Sequence, residues 1–597
     1  MTTIDYQLSL HSPQAHQFAI TCTIPKPDKS GQQLALPTWI PGSYLVRDFA
    51  RHVVSISASC GKQAVAITKV NKHTWRCTPF DGPLVVRYIV YAYEISVRAA
   101  YFDTTRAYFN GTSVFLRVLG QENSTHRLHV APFAKWHVAT ALPAEKTDKH
   151  GFGSYLAQDY TQLIDCPVEI GNFAVAEFNA CGVPHRLVVS GRHSADLQHI
   201  SRDLKRICEH HINFFGKPAP FERYDFLLFA AGEDQYGGLE HSNSTSLICP
   251  RHWLPSKDGH VDQENYADFL GLCSHEYFHA WHVKRIRPQT FKDADNDLDS
   301  EAYTRLLWVF EGFTAYYDSL ALARCGLISR QQYLEHLGRD ITRLLRTPGR
   351  GMQTLEDSSF DAWIKLYRPD ENSPNAQVSY YLKGSLAALA LDLQLRTSGK
   401  GSLDDIMHLL WQRHGKTGDG LPEDGMETLL KEIGGSGAVK LLKLAVSDTG
   451  ELPLAKLLAK FGVSHQLRAA TSDSDKGGKA NGTKTTRHVL GVKLASGKEA
   501  KLAQVFSGGA AEQAGLAGGD VIVAVNCLKA SSANLEKLVN GAAAKALHVH
   551  AFRRDELMEF EVTPQAAPLD TSYFTLQAKP SKAMVALLDG WLEKTAT

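Results

Sequence analysis

The stretch Ser274-His275-Glu276-Tyr277-Phe278-His279 contains the pattern H-E-x-x-H and decides the expected fold around it. Residues four apart share one face of a helix, so His275 and His279 can hold one Zn²⁺ between two imidazoles. Glu276 follows the first of these ligands and can act as general base on a metal-bound water. The apolar residues before the motif recur at nearly helical spacing, which predicts a helix. Three fixed letters also occur by chance, so two surface histidines remain the alternative until the rest of the chain is considered.

A hydrolytic zinc site needs a third protein ligand and one open position. The residues after His279 lack the glycine and histidine of a metzincin, and His282 is too close in sequence to serve. Glu311 is a lone carboxylate in an apolar run of helical length, where a charge is costly unless it is paired or bound to metal. Glu311 is therefore the predicted third ligand, and Glu301, which lies beside an acidic loop, is the alternative. That loop lacks the EF-hand glycine and glutamate, which argues against calcium.

Two further motifs lie in order around this pattern. Gly237-Gly238-Leu239-Glu240-His241 precedes it, and Tyr380-Tyr381-Leu382-Lys383-Gly384 follows it. With the W-I-P-G-S-Y segment that begins at Trp39 and a PDZ-like segment near the end, the chain resembles the glycyl aminopeptidase family of gluzincin metallopeptidases over most of its length. It departs from the broader zinc aminopeptidases at Leu239 and His241, where those enzymes carry methionine and asparagine.

The resemblance implies a zinc aminopeptidase with one Zn²⁺ per chain, acting on peptides with a free N-terminus and a small first residue, Gly or Ala. It implies that Glu240 binds the free α-amino group and that the Tyr381 hydroxyl stabilises the oxyanion. The implied metal ligands are His275, His279 and Glu311; the implied catalytic residues are Glu276 and Tyr381; the implied substrate-binding residues are Gly237, Gly238, Glu240 and His241.

Two other functions compete with this one. A zinc endopeptidase would use Glu240 structurally and recruit protein substrates through the PDZ-like segment. A peptide-binding scaffold would have lost catalysis, but the intact motif residues argue against it. Cleavage of N-acetylated peptides separates the first alternative from an aminopeptidase, because only an aminopeptidase needs the free amine.

Composition limits the partners and the cellular location that can be expected. The chain has 597 residues and a formal net charge of +1, which gives no reason to expect nucleic acid or an anionic membrane as partner. No apolar run is long enough to span a bilayer, and the first residues lack the features of a signal peptide. The ten cysteines show no C-x-x-C spacing, which favours reduced thiols and a cytoplasmic location.

The predicted architecture is a multidomain α+β protein. Residues 1–170 are strand-rich and predict a β-sandwich-like domain; residues 171–465 predict a thermolysin-like zinc peptidase domain with a helical extension. Residues 466–487 are polar and non-periodic, which predicts a linker, and residues 488–565 predict a PDZ domain with a possible peptide ligand. Residues 566–597 are expected to form a C-terminal tail.

Overall fold

Alternation of apolar and polar residues builds the first β-sheet. In the strand Thr3–Ser12, Ile4, Tyr6, Leu8 and Leu10 are buried while their neighbours are more exposed. The computed structural model describes residues 3–232, 235–294, 297–481 and 486–593. The chain divides into a first unit, Met1–Tyr303 with Leu410–Pro422, and a second unit, Thr304–Leu409 with Glu423–Thr597.

The N-terminal part of the first unit holds three sheets. The eight-stranded sheet has, in spatial order, Ala144–Thr147, Gly153–Ala157, Thr125–Val130, Thr3–Ser12, Gln17–Ile24, Leu84–Tyr91, Val53–Cys60 and Gln63–Val65. The two smaller sheets are His137–Thr140, Val168–Gly171, Arg106–Phe109 and Ala100–Phe102, and then Arg117–Val118, Gln33–Ala35, Thr74–Cys77 and Ile67–Lys69. The β-rich character predicted for the N-terminal part is confirmed, with three sheets in place of the two of a simple sandwich.

A five-stranded sheet follows and carries the glycine-rich motif at its edge. Its spatial order is Ala174–Ala180, Val183–Ser190, Tyr224–Ala231, Ser244–Pro250 and Gly237–Glu240. The last strand pairs antiparallel with Ser244–Pro250 and leaves its other side without a strand neighbour among the described residues. Such an edge can accept an extended peptide main chain. The helices of this unit are Tyr160–Ile164, Leu197–Phe215, Gln263–Phe278 and Gln289–Asp293, with 3₁₀ turns at Phe49–His52, Gly111–Ser113 and Arg251–Trp253.

The second unit begins with helices and is centred on Leu382–Ser398, which is buried on nearly all sides. Gly312 and Gly384 meet where this helix crosses Gly312–Arg324, and a Cβ at Gly312 would lie 2.6 Å from Gly384. The other helices are Leu307–Phe310, Arg330–Leu345, Leu355–Phe360, Ser373–Ala376, Leu403–Leu410, Gly425–Gly434, Ser436–Val446 and Leu454–Ala459, with a 3₁₀ turn at Pro348–Gly351. The π-helical turn Trp411–Gly415 belongs to the first unit. The apolar run of helical length around Glu311 therefore forms two helices, Leu307–Phe310 and Gly312–Arg324, with the break at Glu311.

The C-terminal segment forms a small sheet with its own core. Its strands are, in spatial order, Val492–Leu494, Ala500–Val505, Val521–Val525, Leu547–Arg553 and Glu556–Val562, with Leu528–Lys529 paired to Val521–Val525 and His488–Val489 paired to Gln565–Ala566. The helices Ala510–Gln513 and Leu535–Gly541 contribute to that core. The strand Ala500–Val505, the short helix Ala510–Gln513 and the strand Val521–Val525 follow one another along the chain, while identity as a PDZ domain stays a prediction.

The predicted linker and tail are wrong in part. Val463–Arg468 is a strand paired with Thr571–Leu576, and the Asp475 carboxylate accepts a hydrogen bond from Arg468 Nη1 at 2.6 Å. The helix Lys582–Leu592 follows, and its Trp591 is fully buried with its indole Nε1 donating to the Tyr316 hydroxyl. The strand pairing and the Trp591 hydrogen bond join residues about a hundred or more positions apart, which local composition does not reveal. Residues 482–485 and 594–597 of the predicted linker and tail lie outside the described residues.

Two other expectations concern the whole chain. All ten cysteines are free thiols, as the absence of C-x-x-C spacing predicted. Within the described part of the chain, no helix combines the length and the apolar character that crossing a bilayer requires.

Candidate active site

The H-E-x-x-H residues lie at the end of the helix Gln263–Phe278, so the predicted helical placement is confirmed. Asp262 caps its N-terminus, since its carboxylate accepts hydrogen bonds from the backbone N–H groups of Glu264 and Asn265, each at 3.1 Å. The helix ends at Phe278, with His279 as its C-terminal cap residue.

The two histidines are arranged as a pair of metal donors. Their ring centroids are 4.7 Å apart and the rings are nearly perpendicular, at 83°. His279 Nδ1 donates to the backbone carbonyl of His282 at 2.7 Å. That bond places the proton on Nδ1 and leaves the Nε2 lone pair to bind a metal ion.

The opposite face of the motif helix is anchored in the core. The Tyr277 hydroxyl donates to His185 Nε2 at 2.9 Å, because His185 Nδ1 is already donating to the Val183 carbonyl. Burial lowers the pKa of His185 to about 4, so this imidazole is neutral at pH 7. Ser274 lies 2.9 Å from His211 Nε2, and burial also lowers the pKa of His211. Fixing Ser274 and Tyr277 fixes the rotation of the helix that presents His275, Glu276 and His279.

The edge strand Gly237–Glu240 passes directly over the Glu276 carboxyl group. A Cβ at Gly238 would lie 2.1 Å from Glu276 Oε1, so any side chain larger than hydrogen would displace the carboxylate. Arg98 Nη2 donates to the Gly238 carbonyl at 3.0 Å and holds the strand in place. The close approach of the strand to the Glu276 carboxylate explains why position 238 is a glycine.

Two carboxylates and one imidazole meet in this buried part of the first unit. The ligand atoms of Glu240, Glu276 and His279 all lie within 4.8 Å of one another, and the three residues are 4%, 5% and 1% exposed. Two carboxylates that close together away from water are costly without compensating positive charge. The arrangement therefore suits cations, either a metal ion or an ammonium group.

The W-I-P-G-S-Y segment contributes to the same place, which the sequence did not predict. Residues Ile40 to Ser43 form a tight turn, with Ser43 N–H donating to the Ile40 carbonyl at 3.0 Å and Gly42 at φ +91°. A Cβ at Gly42 would lie 2.5 Å from both carboxylate oxygens of Glu240. The turn is therefore in contact with the carboxyl group that the sequence assigned to substrate. The Pro41-Gly42 pair predicted a turn, but nothing local showed what the turn contacts.

His241 is buried and is held by a partly buried pair of charged residues. Its Nδ1 donates to Asp165 Oδ1 at 3.2 Å, and Lys284 Nζ donates to the same oxygen at 2.7 Å. Burial alone would raise the pKa of Asp165, but the Lys284 ammonium and the His241 hydrogen bond outweigh it and hold that pKa well below its usual range. His241 is 2% exposed. Its contacts are those of a support for the end of the edge strand, and sequence reasoning missed both Asp165 and Lys284.

In the second unit, Glu311 and Tyr381 each precede one of the two helices that cross at Gly312 and Gly384. Glu311 is 2% exposed at the break between Leu307–Phe310 and Gly312–Arg324. Tyr381 immediately precedes Leu382–Ser398, and its hydroxyl lies 2.9 Å from the hydroxyl of Tyr367. The contact between the two glycines brings the starts of both helices together.

The acidic loop near Glu301 is held by a hydrogen bond and an ion pair. Leu298 is 7% exposed, and its carbonyl accepts a hydrogen bond from Thr38 N–H at 2.8 Å. Asp299 pairs with Arg117 at 2.6 Å. Asp295 and Asn296 of this loop lie outside the described residues.

Comparison with known proteins decides the family. The model of the M61 peptidase N-terminal domain matches residues 5–172, and the M61 glycyl aminopeptidase model matches residues 268–387. The crystal structure of an aminopeptidase N family protein from Idiomarina loihiensis is 38% identical, with a TM-score of 0.94 over 99% of this chain and 100% of that one. The chain belongs to the M61 peptidase family.

This M61 peptidase is accordingly a metallopeptidase of the aminopeptidase class. Its chain is also similar to the M1 zinc metallopeptidase from Deinococcus radiodurans, at 16% identity and a TM-score of 0.47 over 76% of this chain and 95% of that one. A comparison with curated proteins found no match.

Proposed function

We propose that this M61 peptidase is a zinc aminopeptidase that removes a small first residue, glycine or alanine, from peptides with a free N-terminus. The observation that carries the proposal is the meeting of Glu240, Glu276 and His279 beside an open strand edge, in a chain of this family. An extended peptide added to that edge has its N-terminus near a carboxylate and its first peptide bond near the histidine motif.

His275, His279 and Glu311 would hold the metal ion. Two imidazoles and a carboxylate are the donor set that zinc hydrolases use, and the tautomer of His279 set by the His282 carbonyl suits such a role. When bound, Zn²⁺ supplies Lewis acidity toward the peptide carbonyl and lowers the pKa of water to about 7.

The residues of the chain carry the proton transfers and the positioning. The Glu276 carboxylate takes a proton from the attacking water and then delivers it to the leaving amine. The Tyr381 hydroxyl donates a hydrogen bond to the developing oxyanion, a contact that is strongest in the transition state. Glu240 binds the substrate α-ammonium, so the distance from its carboxylate to the catalytic groups selects the first peptide bond.

The preference for a small first residue follows from the turn at Gly42. Its contact with Glu240 is so close that even a methyl group on Gly42 would collide with the carboxylate. A substrate held by its ammonium at Glu240 must place its first side chain in the same neighbourhood. Gly237 and Gly238 would allow the peptide main chain to approach. His241 was expected from the sequence to contact substrate; its hydrogen bond to Asp165 suits a role in supporting the strand.

The test is hydrolysis of Gly-, Ala- and Leu-p-nitroanilide, each with a free or an acetylated amine, with and without a chelator. The proposal expects chelator-sensitive cleavage of the free glycyl and alanyl compounds, much slower cleavage of the leucyl compound, and none of the acetylated forms. Cleavage of acetylated substrates at comparable rates would instead support the endopeptidase. A Leu rate equal to the Gly rate would refute the role given to Gly42 in specificity.

A further inference from the structure

A second group of side chains that could hold a metal ion lies in the C-terminal sheet, outside the histidine, glycine-rich and tyrosine motifs described above. The strands Leu547–Arg553 and Glu556–Val562 pair antiparallel, with His550 directly opposite Glu559. His548 and His550 are two residues apart and so point to the same face of the sheet. The other face carries Leu547, Val549 and Ala551, which are fully buried in the core.

The distances within this group suit the binding of one metal ion by all three side chains. Glu559 places Oε1 3.4 Å from His550 Nε2 and Oε2 3.9 Å from His548 Nε2. One ligand atom from each of the three residues lies within 4.8 Å of the other two, and the imidazole centroids are 5.1 Å apart. Small movements of exposed side chains would bring all three donors to the distances of about 2.0–2.2 Å that zinc requires.

The surroundings agree with this interpretation. The side chains of His548 and Glu559 are 56% and 65% exposed, and that of His550 is 23% exposed, so an ion can reach the group from solvent. His550 Nδ1 is buried and has no hydrogen-bond partner among the described residues. On the neighbouring strand the residue opposite His550 is Ala524, whose small side chain leaves the imidazole unobstructed.

We propose that His548, His550 and Glu559 form a second metal site, which binds a divalent transition-metal ion that prefers imidazole, such as Zn²⁺. Two imidazoles and one carboxylate suit zinc and its neighbours in the transition series, whereas calcium and magnesium prefer oxygen ligands alone. The strands fix the positions of the donors before the ion arrives, since they are held by backbone pairing. Bound metal cross-links the two strands and stabilises the C-terminal sheet.

The experiment uses the full chain carrying His275→Ala and His279→Ala, so that the motif histidines cannot contribute ligands. After equilibration with Zn²⁺ and removal of free metal, zinc content is measured by elemental analysis, and thermal unfolding is followed with and without Zn²⁺. The proposal expects about one zinc per chain and a melting temperature that rises with zinc. Adding His550→Ala or Glu559→Gln should weaken zinc binding at least about tenfold and abolish the thermal shift.

Glu556→Gln is the matched control, because Glu556 is an exposed carboxylate on the same strand and pairs with Arg553 in the ladder. It should leave both zinc content and thermal shift unchanged. In the otherwise native chain, His550→Ala should lower the zinc content from about two per chain to about one and leave peptide hydrolysis unaltered. The proposal is overturned if the His275→Ala/His279→Ala chain binds no zinc, or if His550→Ala leaves its zinc binding intact.

Discussion

Gly42→Ala is the substitution that most directly tests how the Glu240 carboxylate is positioned. The new Cβ would lie 2.5 Å from both carboxylate oxygens, so the carboxylate must withdraw by about 1 Å to reach an ordinary contact distance. A displacement of that size at a group that positions substrate costs about 10²-fold in rate. We therefore expect kcat/KM for glycyl-p-nitroanilide to fall by about 10²-fold, or about 2.7 kcal/mol of transition-state stabilisation.

Gly182→Ala provides the control for backbone strain. Gly42 and Gly182 have φ of +91° and +89°, so alanine at either position costs about 1–2 kcal/mol of stability. No atom lies within 4 Å of a Cβ built at Gly182, so this variant carries the strain without the collision. Both variants should melt at similarly reduced temperatures, while only Gly42→Ala should lose activity.

Shortening the Glu240 side chain should restore part of the activity lost in Gly42→Ala. Glu240→Asp withdraws the carboxylate by one methylene and makes room for the methyl group of Gly42→Ala. The double variant should therefore lose less than the product of the two single losses in kcat/KM. If Gly42→Ala is as active as Gly182→Ala, or if the two losses simply multiply, the turn does not position Glu240.

Three further outcomes are expected. Glu276→Gln should keep its metal content but lose at least about 10²-fold in kcat, the usual contribution of a general base; near-normal turnover would remove Glu276 from the mechanism. Glu240→Ala should raise KM and lower kcat/KM for substrates with a free amine, and equal effects on acetylated substrates would contradict its role in binding the ammonium. Lys284→Met should destabilise the folded chain at neutral pH by about 2 kcal/mol, because it removes the ammonium partner of the partly buried Asp165. Since the pKa of Asp165 is depressed in the folded state, the stability from that pair is present above about pH 4 and is lost as the pH falls further. The difference in melting temperature between the native chain and Lys284→Met should therefore shrink in acid, and a difference that stays constant with pH would refute the argument.

Much of the local chemistry could be predicted from the sequence. The spacing of His275 and His279 predicted a helix, and the helix Gln263–Phe278 is present. The strand-rich character of the N-terminal residues predicted a β domain, and three sheets are present there. These features depend on neighbours within a few residues, for which helical or strand periodicity is sufficient.

Predictions that depended on long-range partners failed where composition was the only guide. The polar residues near Arg468 suggested a linker, yet they pair with a strand about a hundred residues later. The terminal residues suggested a tail, yet Trp591 is buried against the Tyr316 hydroxyl. A strand or helix completed by a distant segment has no signature in its own composition.

The sequence by itself determined which side chains are available for the chemistry: the H-E-x-x-H histidines and glutamate, the acid at 240, and the glycines beside it. Only the tertiary structure decided what limits their positions. It placed Gly42 in contact with the Glu240 carboxylate and Gly238 in contact with Glu276. It also brought Lys284 and His241 to hydrogen-bond to the same carboxylate oxygen of Asp165. Those contacts join residues that lie roughly 40 to 200 positions apart in the chain. Periodicity describes the face of one element, whereas close approach between elements is set by how the whole sheet and its helices pack.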